Sequence, residues 1–177
     1  MDPTDSAPLI VTAEMEAAAQ AHFTALRTAH FPPSRNYLAA HITLFHALPG
    51  VEQEAVEQAL AAEATAILPP QVRVEGIRFL GRGVAYALAS PELQQCHRRL
   101  VDALSPLLSA QDRQGFRPHI TVQNKVETAV ARALEAELSA APLPPPFLLT
   151  GIKLWRYRGG PWEAVRDFSF GSAPGSV

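Results

Sequence analysis

Two four-residue stretches of the chain carry the same pattern of reactive side chains: His41-Ile42-Thr43-Leu44 and, 78 residues later, His119-Ile120-Thr121-Val122. Both fall where the sequence reads as strand, and strand side chains alternate between faces. His41 then shares a face with Thr43, and His119 with Thr121, while Ile42, Leu44, Ile120 and Val122 anchor the opposite faces. Two imidazoles with an ordinary pKa of ~6.5 can hold opposite protonation states near neutrality. The neutral one takes a proton from water while the protonated one gives a proton to a leaving alkoxide. Threonine hydroxyls donate to the non-bridging oxygens of a phosphate. The set suits phosphodiester cleavage, above all of a cyclic phosphate, and needs neither metal nor cofactor. One His-x-Thr in a strand is common and mostly packs or caps; two in matching contexts are specific.

The elements that must position these groups follow from periodicity and breakers. A strand over 8–12 precedes a helix over 13–29 with Met15, Ala19, His22, Phe23 and Leu26 at helical spacing, stopped by Pro32-Pro33. A strand over 37–48 carries the first tetrad. A second helix bears Val56, Leu60 and Ile67 and stops at Pro69-Pro70. A hairpin follows, with strands over 72–80 and 84–89 about the Gly81-Arg82-Gly83 turn. The third helix has the clearest stripe, Leu93, Cys96, Leu100, Val101, Leu104, Leu107 and Leu108, which makes Cys96 a buried structural thiol. A strand over 117–123 carries the second tetrad, a helix follows over 128–140, and a hairpin closes the chain with strands over 147–157 and 162–170. About seven strands and four helices give an α+β fold. Each tetrad strand has a helix before it and another after. We therefore expect a single bilobal domain over 1–177, ordered over 8–170 with flexible termini at 1–7 and 171–177. Its two pseudo-symmetric halves would be small antiparallel sheets, flanked by helices, facing across a central cleft.

The tetrads, their spacing and this order of elements resemble the 2H phosphoesterases, and within them the bacterial 2′-5′ RNA ligase-like proteins. The resemblance spans roughly 8–170. It implies a bilobal fold about a groove and an activity that opens 2′,3′-cyclic phosphates to 2′-phosphates or processes 2′-5′ linked oligonucleotides. It makes His41 and His119 the acid–base pair and Thr43 and Thr121 the phosphate contacts. Two stretches depart from the commoner pattern: Phe45-His46-Ala47-Leu48-Pro49-Gly50 where many members continue Phe-Leu-Gly, and Gln123-Asn124-Lys125 where an arginine is frequent.

Residues around the tetrads are candidates for holding substrate. Arg117, two before His119, shares its face and can steer a phosphate. Phe45 continues the His41–Thr43 face as a wall for a base. Tyr157 and Trp155 near the last hairpin can stack on a base. Arg35 and Asn36 precede the first tetrad strand. Each also has an ordinary reading as a solvated or packed residue. His46, on the apolar face with Leu44 and Leu48, reads as packed, as do His22 and His97 in helical stripes. His30 suits a helix C-terminus, and Arg82 reads as a solvated turn residue.

Composition narrows the partners. The 177 residues carry 15 Lys+Arg against 17 Asp+Glu, a net charge of −2, too little positive charge to coat a duplex. With 47% hydrophobic and 18% charged residues the chain can build a core, and its single cysteine excludes a disulfide framework. No signal peptide or membrane span is visible, so the expected protein is cytoplasmic and monomeric. Its expected partners are RNA ends with a 2′,3′-cyclic phosphate, 2′-5′ linked oligonucleotides or small cyclic nucleotides. A 2′-5′ ligase or phosphodiesterase, or a non-catalytic module that binds RNA ends, is the alternative. A metal site built on His41 and His119 has no supporting ligand spacing.

Overall fold

The structure, a computed structural model, describes residues 5–171. Seven strands and four helices run in the order β1 (Leu9–Met15), α1 (Ala17–His30), β2 (Ile42–Leu48), α2 (Gln53–Ala66), β3 (Gln71–Phe79), β4 (Val84–Ala89), α3 (Pro91–Leu104), β5 (His119–Gln123), α4 (Thr128–Ala140), β6 (Phe147–Arg156) and β7 (Glu163–Ser169). All pairings are antiparallel, and the strand order is β2-β1-β6-β3-β4-β5, with β7 on β6. The two expected sheets are β2-β1-β6-β7 and β3-β4-β5. Only Gln71↔Leu148 and Val72↔Phe147 bridge them into one hydrogen-bonded path. The order is symmetric about that bridge: β1-α1-β2-α2 repeats as β4-α3-β5-α4, and each tetrad strand forms an outer edge of its sheet.

Each half lends its helix to the other half's tetrad strand. Phe23 of α1 meets Tyr86 of β4 and Phe147 edge-on at 5.4 and 5.6 Å, and Arg27 of α1 reaches the Thr121 carbonyl in β5. In α3, which starts on a Ser90 cap with Pro91 in its first turn, His97 reaches the Leu44 carbonyl in β2. The α3 stripe is buried as its period requires, with Leu93, Cys96, Leu100 and Leu104 in the core. Burial, with the Glu63 carboxylate beside it, pushes the Cys96 thiol up to about 12, which leaves it inert.

Several boundaries differ from expectation. Residues 13–15 extend β1 instead of opening α1, because Ala13 and Met15 pair with Ile152 and Leu149 of β6. Residues 37–41 are not strand, and His41 stands just before β2. Arg117 likewise precedes β5. His22 is exposed, and the buried face of α1 runs Ala19, Phe23 and Arg27. The N-terminal stretch expected to be frayed is anchored where it is described. Asp5 pairs with Arg156 and Arg158, and a Cβ on Gly50 would stand 2.2 Å from the Ala7 carbonyl oxygen, so that close approach requires glycine. The rest of the expected flexible termini, 1–4 and 172–177, lies outside the described residues.

Candidate active site

β2 and β5 face each other, and His41, Thr43, His119 and Thr121 line one cavity of about 220 Å³ with Ile10, His46 and Trp162. Ile42, Leu44, Ile120 and Val122 point the other way and are buried. Both imidazoles are held by the backbone carbonyl two residues earlier, and Arg78 Nη1 also lies 3.4 Å from His119 Nδ1. His41 Nδ1 donates to the Ala39 carbonyl at 2.8 Å, and His119 Nδ1 donates to the Arg117 carbonyl at 2.9 Å. A carbonyl only accepts, so Nδ1 carries the proton in each ring and Nε2 keeps its lone pair. Burial, with the positive charges of Arg27, His119 and His46 adding to it, lowers the His41 pKa to about 4 against the pull of the Ala39 carbonyl. Burial also lowers that of His119, against the Arg117 carbonyl and with Arg78 and His46 adding to the fall.

One buried cation organises the approach to His41. Arg27, 5% exposed, shares its Nε–H between Asn36 Oδ1 (2.8 Å) and the Leu38 carbonyl (3.0 Å), and its Nη1 donates to the Thr121 carbonyl at 3.1 Å. It thus joins the loop before the first tetrad to the strand of the second. Gln20 and Thr24 on the same helix bind the carbonyl and amide of Ala40. Sequence periodicity gave no sign of Arg27, because a guanidinium on an apolar helix face reads as a solvated end.

Strict alternation fails in β2, and this moves two residues. Thr12↔Thr43 is followed by Val11↔Phe45, so Leu44 is one residue too many, a β-bulge. Its carbonyl is taken by His97 Nε2 at 3.1 Å. Beyond the bulge Phe45 turns into the core, fully buried, and stacks on His97 at 4.9 Å; it is not the base wall expected of it. His97 is buried as expected, between Phe45 and Phe116. His46, expected to pack, turns out into the cavity, with its Nδ1 3.0 Å from Asp112 Oδ1. Asp112, whose side chain is 1% exposed, also accepts from the His46 and Ala47 amides and from Ser109 Oγ. Burial alone would raise its carboxyl, but these hydrogen bonds overcome that and bring it down to about 2. Asp112 therefore satisfies the free amides of an edge strand, and nothing in the local pattern near 46 announces it.

Two further chambers flank the central cavity. One, toward His41, is lined by Thr12, Gln20, Lys153, Trp155 and Trp162. Trp162 stands 4.8 Å from the His41 ring, and Trp155 Nε1 donates to Thr12 Oγ1. The other, toward His119, is lined by His46, Arg78, Asp112, Phe116 and Arg117. Of the sequence candidates, Arg117 and Trp155 reach the cleft. Arg35 lies exposed in a short turn, and Tyr157 follows β6 into solvent, 42% exposed; neither lines these chambers, and Asn36 is engaged by Arg27. Arg82 binds the Val126 carbonyl away from the cleft. His46, Arg78 and Trp162 were not foreseen as site residues. Among the described residues no group of three or more His, Cys, Asp or Glu is placed to hold a metal ion.

Two edge strands that present paired imidazoles and hydroxyls across one groove of an antiparallel α+β fold are the arrangement expected of a 2H phosphoesterase. The chain belongs to the 2′-5′ RNA ligase superfamily, whose model matches residues 15–161. Solved structures with the same fold include TT0787 of Thermus thermophilus (18% identity, TM-score 0.63, covering 94% of this chain and 100% of that one). E. coli LigT complexed with 3′-AMP is similar at 20% identity and TM-score 0.59, over 95% of this chain and 100% of LigT. Usb1 of Kluyveromyces marxianus is more distant, at 12% identity and TM-score 0.53 over 93% and 99%. No curated protein sequence matches the chain significantly.

Proposed function

We propose that the protein is a metal-independent 2′,3′-cyclic phosphodiesterase acting on RNA ends and opening the ring to a 2′-phosphate. The reading rests on one observation: two Nδ1-protonated imidazoles and two threonine hydroxyls line the same small cavity. Thr43 and Thr121 donate to the non-bridging oxygens of the cyclic phosphate. One imidazole, neutral at Nε2, takes a proton from water as its oxygen attacks phosphorus. The other, protonated at Nε2, gives its proton to the departing 3′-oxygen, so the ring opens with no net change in protons. Trp155 and Trp162 offer faces for the nucleobase, and E. coli LigT, a relative of the same fold, has been seen complexed with 3′-AMP and with NADP+. We read the protein as a cytoplasmic monomer; among the described residues no helix is long and apolar enough to cross a membrane.

His41→Ala and His119→Ala test the acid–base pair. Each is expected to lower turnover of RNA ending in a 2′,3′-cyclic phosphate by at least about 10²-fold while the circular dichroism spectrum is unchanged. Wild-type turnover in either variant removes that histidine from the mechanism. Consumption of a 2′-5′ linked oligonucleotide in place of the cyclic end would assign the same groups to that linkage.

A further inference from the structure

The three chambers differ in charge, and His46 stands where the difference begins. Toward His41, the one cationic side chain is Lys153, already 3.0 Å from Asp167 and 3.7 Å from Glu14, and the remaining surface is largely aromatic or neutral. Toward His119 the balance reverses. Arg78 and Arg117 line that chamber, and among the described residues neither has a carboxylate within 4 Å. Arg78 Nη1 is held at the chamber wall by the Arg117 carbonyl at 3.3 Å. The one acid there, Asp112, is buried and fully engaged by the His46 ring, two amides and Ser109, so it offers no free oxygen to the cavity. Its bond to His46 Nδ1 fixes that ring and turns the Nε2 edge outward, where it donates to an anion when both ring nitrogens carry protons, in a side chain 43% exposed that lines both the central cavity and the cationic chamber.

We propose that His46, Arg78 and Arg117 form a subsite for a second phosphate, so that the enzyme selects nucleotides bearing a phosphate besides the one that reacts. This deepens the proposed function and rests on the reacting phosphate lying between His41 and His119. The covalent structure of a nucleotide fits the polarity of the cleft. From a phosphate on O2′, the ribose runs one way to C1′ and the base, and the other way through C3′ and C4′ to the 5′-phosphate. With the base toward Trp155 and Trp162, the 5′-phosphate comes to the cationic side. In an RNA end that phosphate is the link to the preceding nucleotide, so the subsite distinguishes an RNA terminus from a free cyclic nucleoside monophosphate.

The test is calorimetric binding of two stable probes, adenosine 2′-monophosphate and adenosine 2′,5′-bisphosphate, with turnover of RNA ending in a 2′,3′-cyclic phosphate followed in parallel. The wild-type protein is expected to bind the bisphosphate about tenfold more tightly, as one charge-assisted contact supplies. His46→Gln and, separately, Arg78→Gln should bring the ratio of affinities close to one. Arg98→Gln, which removes an exposed charge outside the cleft, should leave the ratio in place. A wild-type ratio near one, or variants that weaken both probes equally, overturns the subsite. If the ratio and its loss are seen but the cyclic end of the RNA is not opened, the subsite stands and the proposed reaction falls.

Discussion

Replacing Arg27 tests whether one guanidinium ties the two tetrads together. Burial lowers its pKa from 12.5 to about 10, so it is charged at neutral pH. Its two donating N–H groups serve three acceptors, Asn36 Oδ1, the Leu38 carbonyl and the Thr121 carbonyl. Losing two charge-assisted donors costs about 3–6 kcal/mol. Relief of guanidinium burial, about 3 kcal/mol for a fall of this size, is to be subtracted. Arg27→Met should therefore lose about 2 kcal/mol, which lowers the urea midpoint by about 1 M for an m-value near 2 kcal/mol/M. Arg27→Lys is the sharper test. A lysine keeps the cost of burying a charge but lacks the planar fork, so it should be no more stable than the methionine variant. Both should lower kcat on a cyclic phosphate by about 10–10²-fold, as the His41 loop and β5 lose their common anchor. Urea titration and steady-state kinetics on the same preparations decide it. A lysine variant within about 0.5 kcal/mol of wild type, with unchanged kcat, refutes the fork as the link.

Three more outcomes follow from the same geometry. Both tetrad histidines titrate below their ordinary range, so, if they are the proposed acid–base pair, kcat/KM should peak on the acid side of pH ~6.5 and decline toward pH ~8 as the acid loses its proton; a maximum above pH ~7.5 contradicts it. Stability should be full above pH ~6.5 and fall as the pH drops toward about 4, because the unfolded chain binds a proton that folded His41 refuses. The loss is at most about 3 kcal/mol from His41, with buried His97 and His119 adding in the same direction. Equal urea midpoints at pH ~7.5 and ~5 exclude that. Phe45→Ala should lose about 3–5 kcal/mol as a core cavity and Tyr157→Ala less than about 0.5; comparable losses in thermal melts would mean that Phe45 is not in the core.

The α+β class, the run of seven strands and four helices and the repetition of the tetrads were legible because each rests on a local period. The α3 stripe and α4 read correctly for that reason. The hydroxyl and imidazole of each tetrad share a face because strand alternation holds over three residues. It does not hold over six. The bulge at Leu44 depends on His97 from a helix more than fifty positions along the chain, and on Asp112 from a loop beyond it. Alternation counted forward from His41 consequently put Phe45 in the cleft and His46 in the core, the reverse of the structure.

The repeated tetrad, readable from residue type and spacing alone, defined which groups do the proposed chemistry. Their meeting in one cavity required the symmetric strand order, which no local pattern encodes. Tertiary structure also decided the protonation of the imidazoles. Nδ1 is held by a backbone carbonyl two residues earlier, that of Ala39 for His41 and of Arg117 for His119, where the chain enters each tetrad strand. The charge of the flanking chambers was decided there too, since arginines at 78 and 117 become neighbours only when β3, β4 and β5 pair. Periodicity records which face a side chain shares with its near neighbours in sequence. Electrostatics depends on what lies a few ångströms away in space, and in this fold that is usually another part of the chain.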